Sequence, residues 1–125
     1  MLGSFVTAPD CGIAHDLLFG TLMRLAGAEA TIYPNFGGWF SFSENECVDI
    51  AVSTASSFGH IKSISPAPGG GMRFDNVPDM VRVGGADVMF LIGGALHDGD
   101  EDVATRCRKL IDLVRTAVDT EVGRK

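Results

Sequence analysis

The run DVMFLIGG, residues 87 to 94, is almost continuously apolar and stops at two glycines. A strand with one wet face alternates apolar and polar side chains, whereas a run with no polar position demands cover on both faces. Among globular folds that means a parallel sheet sheathed by helices. Parallel strands must be joined by crossovers, and the rest of the chain supplies them. In AHDLLFGTLMRLA (Ala14 to Ala26), Leu18, Leu22 and Leu25 fall on one helical face, and Gly27 follows as a stop. ATIYP (Ala30 to Pro34) is short, β-branched and aromatic, as strands are, and NFGGWFSF behind it reads as a loop. Ser43 with Glu46 three residues on is a capping-box signature, after which Val48, Ala51 and Ala55 keep helical spacing. HIKSISPA (His60 to Ala67) reads as a second strand ending in the glycine run. Asp75 looks like the cap of a short helix with Pro78 early in it and Gly84 and Gly85 behind it. Residues 87 to 94 make the third strand. Val103, Cys107, Leu110, Val114 and Ala117 stripe a long last helix with an acidic first turn and Arg124 and Lys125 at its tail. Repeated βα units with right-handed crossovers define the class as α/β. No repeat or linker divides residues 1–125, so they read as one domain. Three parallel strands leave two unpaired edges, so either the helices wrap a small sheet or further strands come from another copy or another chain.

Composition narrows the function classes. At 125 residues, 46% hydrophobic and 21% charged, the chain is globular rather than disordered. No apolar stretch approaches the roughly eighteen residues that a membrane helix requires, so a membrane partner is not expected, and MLGSFVTAPD lacks the basic region followed by a long apolar core of a signal peptide. Net charge is −6, and the ten Lys plus Arg are scattered apart from Arg106, Arg108 and Lys109. Nucleic acid is therefore not an expected partner. Cys11, Cys47 and Cys107 lack CxxC spacing and fit a reducing cytoplasm better than a disulfide framework.

Glycines carry the functional signal. SPAPGGGMRF (residues 65 to 74) places Gly70 and Gly71 at the end of one strand, and Gly93 and Gly94 end the next. Ligands of α/β proteins bind at the carboxyl ends of strands. Amides without a neighbouring Cβ can close on an anion at contact distance, and phosphate is the expected anion. Ordinary tight turns are the bland alternative. Neither GxGxxG nor GxxxxGK[ST] is present, which disfavours dinucleotide and P-loop readings.

Taken in order, GIAHDLLFGTLMRLAGAEATIYPNFGG, PAPGGGM with VPDM behind it, and DVMFLIGGAL resemble the later part of the ribulose-bisphosphate carboxylase large-chain family. They resemble its RuBisCO-like (form IV) branch most. That resemblance implies a partial TIM (β/α)8 barrel, with about three parallel strands standing for strands six to eight and flanked by helices. It makes residues 1–125 a C-terminal segment of the catalytic barrel, with Met1 near the loop behind strand five. It implies enolisation, isomerisation or decarboxylation of a phosphorylated, sugar-derived substrate, as a lyase or isomerase rather than a CO2-fixing enzyme. Gly70, Gly71, Gly93 and Gly94 would bind a substrate phosphate, and His15, opening the helix before strand six, would face it. Carboxylases carry a lysine in the loop behind strand six; the corresponding residue is Trp39, which with Phe40 would line the site mouth or pack on a neighbouring subunit. Magnesium is implied as the cofactor of the complete enzyme, with ligands on an earlier strand that this chain does not contain. The implied partners are the phosphorylated substrate and either a homo-oligomer or the missing N-terminal portion. A stand-alone phosphate-binding or assembly module is the first alternative, and a compact enzyme acting through Cys11 or His15 the second.

Other constellations are weaker. Asp98, Asp100 and Asp102 have calcium-loop spacing, but Val103 and Lys109 stand where the loop requires glycine and glutamate. His60 and His97 have no spaced partner ligand, and no GxSxG elbow exists.

Overall fold

The structure is a computed structural model that describes residues 12–37 and 42–123; Cys11, Trp39 and Phe40 lie outside the described residues. Its sheet pairs β1 (Ala30–Pro34) with β2 (Ser65–Gly69) in parallel, with Ile32 opposite Ala67 and Pro34 opposite Gly69. Around it stand α1 (Met23–Leu25), entered through a π-helical segment Leu17–Leu22, then α2 (Glu44–Ala55), α3 (Val77–Gly84) and α4 (Val103–Val122). The class is α/β, as expected.

β2 lies later than the expected His60–Ala67 and contains Pro66 and Pro68, which ought to break a ladder. The register explains why they do not. Ser65 N donates to Glu29 O, and Gly69 O accepts from Asn35 N, so the backbone groups of residues 65, 67 and 69 face β1 while those of 66 and 68 face away. Residues 60 to 64 are unavailable as strand because Gly59, at φ +55°, closes a turn in which Ile61 N donates to Phe58 O. Just beyond it, Arg24 takes up the carbonyls of Ile61 and Lys62.

The third strand expected over residues 87 to 94 is reduced to a single parallel bridge, Gly69 with Leu91, and one hydrogen bond from Met89 N to Pro66 O. The prolines are the reason. On that side β2 offers carbonyls but, at residues 66 and 68, no N–H, so half of the ladder has no donors. Nor is the run covered on both faces. Phe90 packs outward on the α3–α4 core, whereas Met89 and Leu91 are 48% and 37% exposed on the face that also carries Ile32 at 65%.

Two cores flank the sheet on its helical side. Leu18, Phe19, Tyr33, Cys47 and Ile50 form one, and Val77, Val81 and Ala117 with Leu110, Leu113, Val114 and Val118 form the other. The expected stripe on α4 is correct at Leu110, Val114 and Ala117. The stripe expected before Gly27 is not: Leu18 is buried, but Leu22 and Leu25 are exposed, and Phe19, Gly20 and Arg24 are inside. The π turns change the residues per turn and so rotate the buried face. α2 likewise buries Cys47, Ile50, Ala51 and Thr54 and leaves Ala55 exposed. Gly27, at φ +80°, ends the first helix in a Schellman motif, Ala28 N to Met23 O and Gly27 N to Arg24 O.

Close approach of the first helical segment to α2 centres on Gly20. A Cβ there would overlap the Ser53 hydroxyl and stand 2.5 Å from Ser53 Cβ. That hydroxyl donates to Asp16 O and lies 3.2 Å from Thr21 Oγ1. Arg24, 5% exposed, donates to the carbonyls of Ser53, Ile61 and Lys62 and lies over the Phe58 ring, tying the first helix to the end of α2 and the turn behind it.

The capping box opening α2 is present. Ser43 Oγ accepts from Glu46 N, and Glu46 Oε2 accepts from Ser43 N at 2.7 Å. Glu46 Oε1 lies 2.7 Å from His15 Nδ1. The Ser43 hydrogen bonds, and then His15, hold the Glu46 carboxyl below its usual value; ionised, it can only accept, so the shared proton sits on Nδ1. The N-cap position expected of Asp75 falls instead to Asn76, whose side chain does not cap α3 but turns back, Oδ1 accepting from Arg73 N and Nδ2 donating to Gly71 O.

Gly20→Ala is expected to lower stability by about 1–3 kcal/mol through overpacking against Ser53, read from the urea midpoint. A Ser53→Gly background should recover most of that loss. Because the folded-state pKa of Glu46 is depressed, its contribution is fully present above the unfolded-state value and is lost as pH falls through the folded one. Glu46→Gln should therefore cost about 0.5–1 kcal/mol at neutral pH, with a deficit that shrinks in urea titrations at progressively lower pH.

Candidate functional site

Parallel pairing puts the ends of β1 and β2 side by side, and the chain leaves β2 through Gly70 and Gly71. Both have left-handed backbones, φ +86° and +70°, which residues bearing a Cβ seldom adopt. The turn carries the chain into the 3-10 turn Phe74–Asn76 and on into α3. Beside it, the segment bridged at Leu91 ends in Gly93 and Gly94 and enters a second 3-10 turn, Gly94–Leu96. A cleft of about 670 Å³ opens between the two corners, walled by Gly70, Gly71, Gly93 and Gly94 together with Phe74 and Arg106. All four glycines are exposed.

The glycines are not all required for the same reason. Gly70 and Gly71 answer to backbone conformation. At Gly93 and Gly94 a Cβ would meet nothing within 4 Å, so the packing of the chain does not exclude a side chain. The space a side chain would fill is the cleft itself.

Charge in the cleft is balanced in number but not in placement. Arg73 and Asp75 pair with each other at 3.3 Å on the surface, where such a pair is screened and weak. Asp98 is exposed. Arg106, half-buried, reaches in from α4, with Nε and Nη2 donating to Ala95 O at 3.0 and 2.6 Å and its guanidinium 5.1 Å from the centre of the Phe74 ring. Sequence reasoning grouped Arg106 with Arg108 and Lys109 and gave it no role; its place on the helix that follows the Gly93–Gly94 corner was the available signal.

The structure thus brings Gly70, Gly71, Gly93 and Gly94 together, and His15 is not among the residues lining their cleft. Its ring stacks on Phe42 at 4.0 Å, and its Nδ1 is committed to Glu46 at the start of α2. Tyr33 on β1 and Asn35 just beyond it are 1% exposed, and among the described residues Tyr33 Oη and Asn35 Oδ1 have no hydrogen-bond partner. Burial raises the Tyr33 phenol and pushes the Cys47 thiol up to about 11, so at neutral pH Cys47 is an inert, buried thiol. Among the described residues no three His, Cys, Asp or Glu side chains converge to hold a metal ion. The described residues by themselves therefore do not assemble a magnesium site. Among the described residues, too, no helix is long and apolar enough to cross a membrane.

No protein-family model matches the chain. Its relatives are nonetheless clear. Ribulose bisphosphate carboxylase-like protein 1 of Rhodopseudomonas palustris is 42% identical over 91 residues, which is 73% of this chain and 25% of that protein. The 5-methylthioribulose-1-phosphate isomerase of Rhodospirillum rubrum is 43% identical over 111 residues, 89% of this chain and 30% of the isomerase. The crystal structure of a RuBisCO-like protein from Rhodopseudomonas palustris superposes with a TM-score of 0.72 at 33% identity, covering 88% of this chain and 29% of that one. The chain spans less than a third of the length of these relatives. By sequence and by fold alike, it belongs to the RuBisCO-like branch of the ribulose-bisphosphate carboxylase large-chain family.

Proposed function

We propose that this chain forms the phosphate-holding side of a RuBisCO-like active site that acts on a phosphorylated, sugar-derived substrate by enolisation, isomerisation or decarboxylation rather than CO2 fixation. The observation that carries this reading is the vacant side-chain space at Gly93 and Gly94. Packing does not require glycine there, whereas a ligand that must touch the main chain does. Across the cleft, the Gly70–Gly71 turn presents main chain that no Cβ screens, so an anion can approach it at contact distance. A phosphate oxygen between the two corners would accept from both.

The Rhodospirillum rubrum relative is named for an isomerase of a sugar phosphate, which fits a phosphate anchor at this position. Trp39 in place of the carboxylase lysine speaks against carboxylation. In the partial-barrel arrangement, β1, β2 and the Leu91 segment would stand as strands six to eight, and the glycines would close the C-terminal mouth of the complete barrel. The contribution of this chain is to fix and orient the substrate through its phosphate, while proton transfer and any metal chemistry fall to groups elsewhere in the complete enzyme. Homo-oligomerisation and a cytoplasmic location belong to the same reading.

Phosphate should raise the thermal midpoint of this chain, since a ligand at 100 times its dissociation constant stabilises by about 2.7 kcal/mol. Gly94→Ala should leave the midpoint without phosphate unchanged or slightly higher, yet remove the phosphate-dependent rise. A Gly94→Ala variant that still responds fully to phosphate would refute the assignment.

A further inference from the structure

We propose that Arg106 is the cation of the glycine cleft: one side of its guanidinium fixes the Gly94–Leu96 turn, and Nη1 meets the bound phosphate. This inference rests on the phosphate reading above and adds to it a residue that the glycine pattern does not contain.

Arg106 touches both corners at once. Its two-pronged grip on Ala95 O holds the residue next to Gly94, and its stacking on Phe74 holds the ring that follows the Gly70–Gly71 turn. Its position in the cleft wall is therefore fixed by two contacts before any ligand arrives. A guanidinium carries five N–H donors in one plane. The Ala95 carbonyl accepts from Nε and Nη2, which leaves Nη1 without an acceptor among the described residues. Nη1 lies near Gly99, where a Cβ would stand 3.4 Å from it.

The charge is uncompensated as well. Among the described residues Arg106 has no ion-pair partner, although Asp75 and Asp98, both exposed, line the same cleft. A half-buried cation satisfied by one carbonyl is a group whose desolvation calls for an anion. A phosphate held by the glycine amides would bring two charges and several acceptor oxygens to that point, and arginine is the side chain best shaped to receive them.

Inorganic phosphate titrated into the intact chain, followed by 31P NMR, tests this with Arg106→Gln and Arg106→Lys, each first checked by circular dichroism for a folded state. Arg106→Gln should bind at least about tenfold more weakly, the scale of a lost charge-assisted hydrogen bond. Arg106→Lys should be intermediate, because it keeps the charge but cannot grip Ala95 and phosphate together. Guanidinium ion added to Arg106→Ala should restore part of the affinity, which a purely structural role would not allow. Wild-type affinity in Arg106→Gln, or equal losses in the Gln and Lys variants with no guanidinium rescue, would overturn the role of Arg106 and leave the phosphate reading standing. A wild-type chain that binds no phosphate would overturn that reading itself.

Discussion

The parallel register of β1 and β2 is the constraint from which the rest of the molecule follows. It sets Pro34 against Gly69, so both strands finish at one level and their following loops leave on the same side. It also decides which groups of β2 are used. With residues 65, 67 and 69 turned towards β1, Pro66 and Pro68 fall where only the Leu91 segment could miss their N–H groups. A one-residue slip would turn the prolines onto β1 and remove its ladder donors. The register is thereby protected by the two residues that look least compatible with a strand.

Around that pair, the helices are held by a few polar contacts as much as by the two apolar cores. Arg24 is the clearest case. Its guanidinium satisfies three carbonyls that no neighbouring backbone N–H reaches, at the end of α2 and in the turn behind it. This fixes the entry of the chain into β2. The Ser53 hydroxyl does the same on a smaller scale between α2 and the π-helical segment, and the absence of a side chain at Gly20 permits the contact.

Much of this was legible in the sequence, because several signals are local. Ser43 and Glu46 sit at the fixed spacing that a capping box needs, and Gly27 marks the end of its helix as such glycines do. The βα alternation disclosed the class, and the paired glycines disclosed which strand ends to examine. What escaped was set by tertiary geometry. Nothing local in LLFGTL indicates a π turn, so Leu22 and Leu25 looked buried. The strand expected over His60–Ala67 lay too early, because whether Pro66 and Pro68 can be accommodated depends on how they face a partner strand. His15 could not be matched to Glu46 by spacing, since they meet only through the packing of the first helix on α2. Arg106 lay in a cluster of basic residues of which it alone turns towards the glycines.

The weak joint between β2 and the Leu91 segment carries a last implication. Across the mouth, the two glycine corners are joined by one bridge, one main-chain hydrogen bond and the span of Arg106, a thin connection beside the full ladder of β1 and β2. An anion gripped by both would act as a clasp, supplying across the mouth the cohesion that proline removes from the ladder. Substrate capture and completion of the sheet would then be one cooperative event, with part of the intrinsic affinity spent on drawing the corners into place.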